Sequence, residues 1–569
     1  MEAPRVVATG TYARAWNGTD VACVVLLLGA ILAPPSSLAE AFNATYGATP
    51  GEVLAGAWIL KLSLATVALA ALAVARIPLP AVSHDAVSVD HTDSRTWIIL
   101  LGLVALGLGL RFYAINTELW LDEIYLRARY APLEFRQLIS TYDSQNHQPL
   151  YSILSRISWL AAAGADWSIR VPAVLFGAGS LVALWWLGRR LTSDSEALLC
   201  VAFLTVSYHH VWFSQNARGY TAILFFALVG TGVFYRLCEG QGRARSLAWT
   251  YALLMALAAY THLTAALIVV GHLLALMFTT RWTTDEGRRA ALWPVIALVL
   301  SGLLTILFYA PMLPQVLRVI SEPTMEGVAV EWTGTGWMLR EGLRVLSRGI
   351  PGGVVSVLVA LSVLATGLAS YWRQSRRATL LMFLPVVVTL AVIVAMRHNL
   401  WPRFFFFAAG FLVLAAVRGG FVVVRALVPR QAERLAVAGA CAVAFLSLLT
   451  VPRAWQPKQQ FRAAYEFVEG ERQPGDAVIA LDAAASVYSL LGLGADWQNV
   501  ADPEGLTVAE RSARRTWIVY TLTERVRAVS PALFRELTEP RYQVVRVFPA
   551  GVGGGEIHVL RHDSTTGHD

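Results

Sequence analysis

Asp122 and Glu123 are adjacent carboxylates in the segment NTELWLDEIYLRARYAPLEFRQLISTYDSQNH, immediately after an apolar run. Such a pair can form a general base with a partner, ligate a hard cation, or cap the helix that follows. His147 ends the same segment, Arg218 stands in FSQNARGY, His262 in YTHLT, and Arg397, His398 and Arg403 lie between two later apolar runs. One His or Arg at such a position is ordinarily an interfacial anchor. Anchoring alone does not account for several of them converging beside a carboxylate pair. Arg218, Arg397 and Arg403 can each offer a planar fork to phosphate oxygens. His209, His210 and His272 read instead as packing or interfacial residues.

The elements that position these groups must lie in a bilayer. The chain has 569 residues, 56% hydrophobic and only 15% charged, against roughly 45–50% and 25% for soluble domains. That balance excludes soluble enzymes and single-pass receptors. Apolar windows occur at 18–34, 53–75, 96–114, 171–188, 196–213, 219–237, 247–260, 263–280, 290–310, 350–372, 378–396, 404–424 and 432–451, so about thirteen spans are expected. The window 148–164 is short and carries Arg156 at its middle; a charge at mid-bilayer is costly, so this segment is expected to enter and not cross. Lys61 in the second window reads as snorkelling or as an interhelical contact.

The 46 Lys and Arg exceed the 38 Asp and Glu, but the basic residues are scattered through short inter-span loops, which argues against nucleic acid and for membrane orientation. Lysine occurs only at Lys61 and Lys458; compositional bias suffices to explain that. Assigning Arg-rich segments to the inside places the N-terminus, 76–95, 189–190, 236–245, 281–289, 373–377 and 425–434 there. Every candidate site residue then opens on the outer face of a cell membrane. The N-terminal run lacks a convincing cleavage site and reads as an uncleaved first span. Cys23, Cys200, Cys238 and Cys441 lack metal or redox spacing, and no disulfide is expected.

After Arg453 the pattern changes. AVIALD, TWIVYTL, YQVVRVF and EIHVLRH read as strands and AAASVYSLLG as a helix, a soluble α/β domain of about 110 residues. Without nucleotide-type glycine spacing no cofactor is expected in it. The expected organisation is residues 1–95 with a cytoplasmic end and two additional helices, 96–452 as the membrane domain with outer loops 115–147 and 311–349, and 453–569 as the extracytoplasmic domain.

GxxxxGKS, HExxH, GxSxG and GxGxxG are absent from usable contexts. Outer-face chemistry without a soluble nucleotide implies an activated substrate already in the bilayer, and a lipid-linked phosphate suits the arginines.

The chain resembles the GT-C membrane glycosyltransferases, in the branch of protein O-mannosyltransferases and the lipid A aminoarabinose transferase. The resemblance runs from about Trp97 to Arg403 and rests on the order of LWLDE, HQPLY, RVPAVLFGAGSLVALWWLGRRL, FSQNARGY, AYTHLTA and WPRFFFFAAGF. It implies an α-helical polytopic GT-C fold and inverting transfer of a sugar from a polyprenyl-phosphate donor to a hydroxyl of a protein, lipid or polysaccharide. By position it makes Asp122 the general base and Glu123 the residue that orients it or helps hold a cation. Arg218 and Arg403 would hold the donor phosphate, with His147 and His262 lining the site; Arg397 and His398 join this set by location. No cofactor is required, a divalent cation being the one the resemblance leaves open. Gln148 replaces the family's usual Pro, and Asn216 stands where many members have Glu. The competing readings are a flippase or transporter for a lipid-linked substrate, for which the sequence shows neither repeats nor a Gly/Pro-broken matched pair, and an envelope assembly protein.

Overall fold

A computed structural model describes residues 18–79, 93–321, 335–349, 353–396 and 401–563. Every apolar window is helical, because a backbone in hydrocarbon must satisfy its own hydrogen bonds. Among the described residues, nine helices are long and apolar enough to cross a membrane, and two bent pairs raise the number to eleven. The expected thirteen is not reached by this criterion at two windows. Leu263–Thr279 is a shorter apolar run, and Ala244–Thr261 carries Arg245, Ser246 and Thr250 within its length. Both pack inside the bundle, Ala244–Thr261 against Asp285–Tyr309 and Ala266–Thr279 against Arg376–Ala395.

Each bend is filled by a cation. Asp20–Leu32 turns by 93° into Pro35–Phe42, and Lys61 from the next helix donates to Ala33 O at 2.5 Å and Ile31 O at 3.4 Å. Asp194–Thr205 turns by 61° into Tyr208–Ser214. There the fully buried Arg111 donates to the freed carbonyls of Leu204 and Thr205, each at 3.2 Å, and meets His210. Carbonyls left open at a helix end require such partners when buried. Arg156 behaves similarly: its helix, Pro149–Ala161, has 13 residues, and its guanidinium donates to Ala131 O at 2.8 Å.

Elsewhere close packing depends on absent side chains. Helices Gly353–Gln374 and Ala409–Leu427 cross so closely that a Cβ on Gly367 would lie 1.8 Å from Ala415 O, and one on Gly419 1.9 Å from Val363 O.

The bundle has two chemically distinct ends. At one, Arg377 donates to Cys238 O and Glu239, Gln374 to Leu191 O, and Arg245 to Ala75 O and Ile77 O. At the other, Arg218 meets Asn146, His262 lies beside Phe404, and Glu52 pairs with Arg318. The turn between Pro35–Phe42 and Pro50–Arg76 closes onto this second end, with Thr45 N donating to Thr141 Oγ1 and the Tyr46 hydroxyl to Arg129 O.

The C-terminal domain is built on a five-stranded sheet: β1 Ala477–Ala480, β2 Gln498–Asn499, β3 Arg515–Tyr520, β4 Gln543–Phe548 and β5 Ile557–Asp563, in the order β2-β1-β3-β5-β4. β1 runs parallel to β2 and β3, while β5 is antiparallel to both β3 and β4. The two-residue β2 falls below any sequence periodicity. Val478 pairs with Trp517 and Ile518 with Leu560. Phe461, Ala464, Val468 and Tyr488 cover one face, and Leu506, Val526, Leu533 and Leu537 the other. Ile124 from the membrane domain belongs to the first of these cores.

Candidate active site

Helix Leu121–Tyr125 has only five residues, and successive side chains diverge by about 100° around a helix. Asp122 and Glu123 therefore point to different surroundings. Glu123 is fully buried and bound bidentately by Arg170, with Nε to Oε1 at 2.8 Å and Nη2 to Oε2 at 2.6 Å. Ala217 N donates to Oε1 at 2.7 Å and Trp120 N to Oε2 at 3.3 Å. Burial alone would raise this carboxyl, but Arg170, Lys458 and the Ala217 amide together hold it below its ordinary range. With both oxygens engaged, Glu123 fixes the helix.

Arg170 uses its remaining donors on the incoming loop: Nη1 reaches Ile115 O and Thr117 O at 2.6 and 2.9 Å, and Nη2 reaches Glu118 O at 2.9 Å. One buried guanidinium thereby ties residues 115–118 to the carboxylate that follows them.

Asp122 faces two arginines. Its Oδ2 lies 3.9 Å from Arg218 Nε and 3.8 Å from Arg403 Nη1, beyond ordinary hydrogen-bond length. Arg218 is aimed by Nη1 donating to Asn146 O at 2.7 Å, and Arg403 packs over Trp401 at 4.8 Å. Within the described residues, the buried Nε of each makes no hydrogen bond. Two guanidinium groups with donors to spare thus converge on one carboxylate.

The remaining expected residues surround this centre unevenly. His147 is buried and stacks on Tyr130 at 4.2 Å, and the Tyr130 hydroxyl donates to Asp143 at 2.6 Å. Burial, helped by Arg218 and opposed by Asp143 and the Thr141 backbone, depresses the imidazole to about 4, so it is neutral at pH 7. His262 pairs its Nδ1 with Thr264 at 2.8 Å and approaches Phe404, the neighbour of Arg403, at 5.7 Å between ring centres. Arg397 and His398 lie outside the described residues.

Both unusual residues of the sequence have local partners. Gln148 Oε1 accepts from Gly219 N at 2.7 Å, and Asn216 Oδ1 accepts from Trp120 Nε1 at 3.0 Å. Gly219 must lack a side chain there, since a Cβ would fall 2.2 Å from Thr261 Cγ2.

A divalent cation does not fit the described residues. They contain no group of three or more His, Cys, Asp or Glu able to hold one, Asp122 faces guanidinium groups, and the oxygens of Glu123 are taken.

Sequence reasoning missed Arg170 and Lys458 as parts of this site. Arg170 opens RVPAVLF, and no spacing in the sequence points from it to Glu123, 47 residues earlier. Lys458, one of two lysines in the chain, is 1% exposed and donates to Gln215 O at 2.6 Å; its rarity was the available signal. Burial lowers its ammonium to about 7, Glu123 opposing and Arg170 adding to the effect.

Residues 146–309 match the family described as dolichyl-phosphate-mannose-protein mannosyltransferase. ArnT from Cupriavidus metallidurans in the apo state has a similar structure, with a TM-score of 0.50 at 12% identity, covering 82% of this chain and 98% of that one. The Archaeoglobus fulgidus oligosaccharyltransferase follows at 0.49 and 12%, covering 80% and 72%. Arabinosyltransferase EmbB from Mycobacterium smegmatis gives 0.40 and 16%, covering 65% and 34%. No curated protein matches the sequence. Residues 146–309 are thus similar to that mannosyltransferase family, and the fold of the chain is similar to that of ArnT.

Proposed function

We propose that the chain transfers a sugar from a polyprenyl-phosphate donor to an acceptor hydroxyl, with Asp122 as general base and Arg218 and Arg403 holding the donor phosphate. The observation that carries this reading is the Asp122 carboxylate facing two arginines at 3.9 and 3.8 Å, each with an unused buried donor. Guanidinium forks suit phosphate oxygens. In the donor-free chain the carboxylate is the anion nearest to them; when donor binds, its phosphate takes over those contacts and leaves Asp122 to the acceptor.

The acceptor O–H gives its proton to an Asp122 carboxylate oxygen as its oxygen bonds to the anomeric carbon. The anomeric C–O bond to phosphate breaks, and polyprenyl phosphate leaves with the electron pair. Its charge is stabilised by the two arginines, so electrostatic holding replaces a dedicated general acid. Glu123 orients the base helix, His147 and His262 line the site, and Arg397 and His398 join the donor-binding set through their nearness to Arg403 in the sequence.

Lys/Arg distribution supports an inside N-terminus and an extracytoplasmic reaction. The name of the family matched at 146–309 speaks of a dolichyl-phosphate-linked sugar, and ArnT is also known with undecaprenyl phosphate bound; both favour a lipid-phosphate donor here.

The test is transfer of radiolabelled sugar from a panel of polyprenyl-phosphate sugars, in membranes carrying the wild-type chain or Asp122→Asn. Donor-dependent transfer that disappears in the variant is the expected result. Equal activity in both, or none from any donor with a folded chain, overturns it.

A further inference from the structure

The segment joining the last long helix to the C-terminal domain is built into the candidate site. Gln459, 1% exposed, accepts from Leu121 N at 3.0 Å through Oε1. Leu121 opens the five-residue helix that carries Asp122, and the first amides of a helix have no partner within it. Gln459 supplies that partner. Its own Nε2 is held by Gly555 O at 3.0 Å and Thr521 Oγ1 at 3.2 Å, both in the C-terminal domain.

The exchange is reciprocal. Glu118, three residues before Leu121, accepts from Arg462 N at 2.9 Å in the first turn of helix Phe461–Glu471. A membrane-domain residue caps the C-terminal domain's helix, while a residue of the connecting segment caps the helix of the candidate base. Lys458 adds a third tie, its Nζ donating to Gln215 O beside the Glu123–Arg170 pair, and Gly551 N fixes the Lys458 carbonyl at 3.1 Å.

We infer that Lys458 and Gln459 are positioning residues for the proposed transfer: through them the C-terminal domain sets where the Asp122 carboxylate sits. Leu121–Tyr125 runs on into a π-helical turn, Leu126–Tyr130, and a helical segment of that length cannot hold itself in place; its burial and its caps must do so. A displacement of about 1 Å at a reacting group costs about 100-fold in rate. Arg403 is mounted on another element, whereas Lys458 also ties Gln215 O in the turn that carries Arg218, so donor binding should not feel the loss of Gln459 alone. The inference rests on the proposed function for its kinetic consequence, but its structural consequence is independent of it.

The experiment uses the full chain in lipid nanodiscs. Hydrogen exchange of the wild type comes first: the Leu121 amide should exchange as slowly as the β3 amides, and exchange at the free rate while β3 is protected would overturn the inference whatever any variant does. Gln459→Met and Lys458→Met should then speed exchange across 119–124 and lower kcat at least tenfold, Gln459→Met leaving donor KM unchanged, with Lys458→Arg restoring most of the rate. Wild-type kcat in both Met variants, or a donor KM that rises in step with the loss of kcat in Gln459→Met, overturns it. A wild-type chain that transfers no sugar from any donor refutes the proposed function alone, the exchange results still deciding the positioning role.

Discussion

Arg170 binds Glu123 through two parallel hydrogen bonds of 2.8 and 2.6 Å, with both side chains wholly excluded from solvent. A buried pair adds little stability over an apolar replacement, yet removing one partner leaves a desolvated charge and costs about 3–5 kcal/mol. Arg170→Met also strips the partners from three loop carbonyls, at Ile115, Thr117 and Glu118. Arg170→Met should therefore lower the apparent Tm more than Glu123→Gln, which keeps an oxygen and the loop contacts. Thermal unfolding in detergent measures both; a Tm for Arg170→Met within a degree of wild type would sink the argument.

This pair also marks where sequence reading ends. Hydropathy located the long apolar helices, because the need for internal hydrogen bonds in hydrocarbon is written into each apolar run, and four of the five strands followed from their apolar runs and turn residues, but the helices Leu121–Tyr125, Leu313–Ser321 and Thr335–Gly349 lie in segments read as loops. Asp122, Arg218 and Arg403 were legible as chemical types, and the structure brings them together. Their partners were not legible. Arg170 reaches Glu123 across 47 residues, and Gln459 reaches the Leu121 amide across 338; no periodicity encodes contacts at such separations. Bends such as that at Arg111 were equally hidden, since a window of apolar residues looks the same whether straight or broken.

Asp122→Asn separates base from anion binding. General-base catalysis contributes about 10²–10⁴-fold, so kcat should fall by that range. Donor affinity should be equal or tighter, because the neutral amide no longer competes for Arg218 and Arg403. Equilibrium binding of a polyprenyl-phosphate probe beside turnover rates reads both quantities, and weakened binding in Asp122→Asn would contradict this arrangement.

Lysine cannot replace either arginine as a fork. Each charge-assisted hydrogen bond is worth about 1.5–3 kcal/mol, and about 1.4 kcal/mol is a factor of ten. Arg218→Lys and Arg403→Lys should each raise donor KM about 10- to 100-fold. Arg218→Lys should be the more severe, since it also loses the hydrogen bond to Asn146 O that aims the group. Donor titrations at fixed acceptor distinguish this from a loss confined to kcat, which would show that the arginines do not hold the donor.

Lys458 predicts a pH dependence whose sign is fixed by its burial. An unfolded lysine titrates near 10.5, whereas burial lowers this one to about 7 in the folded chain, against the pull of Glu123 and with the push of Arg170. Between pH 7 and 10.5 the unfolded state holds the extra proton, so this group's contribution makes stability rise with pH across that window and levels off on either side of it. Lys458→Met removes the contribution. Tm measured from pH 6 to 10 should climb more steeply in the wild type than in Lys458→Met, and parallel curves would mean that the ammonium keeps its ordinary proton affinity beside Glu123.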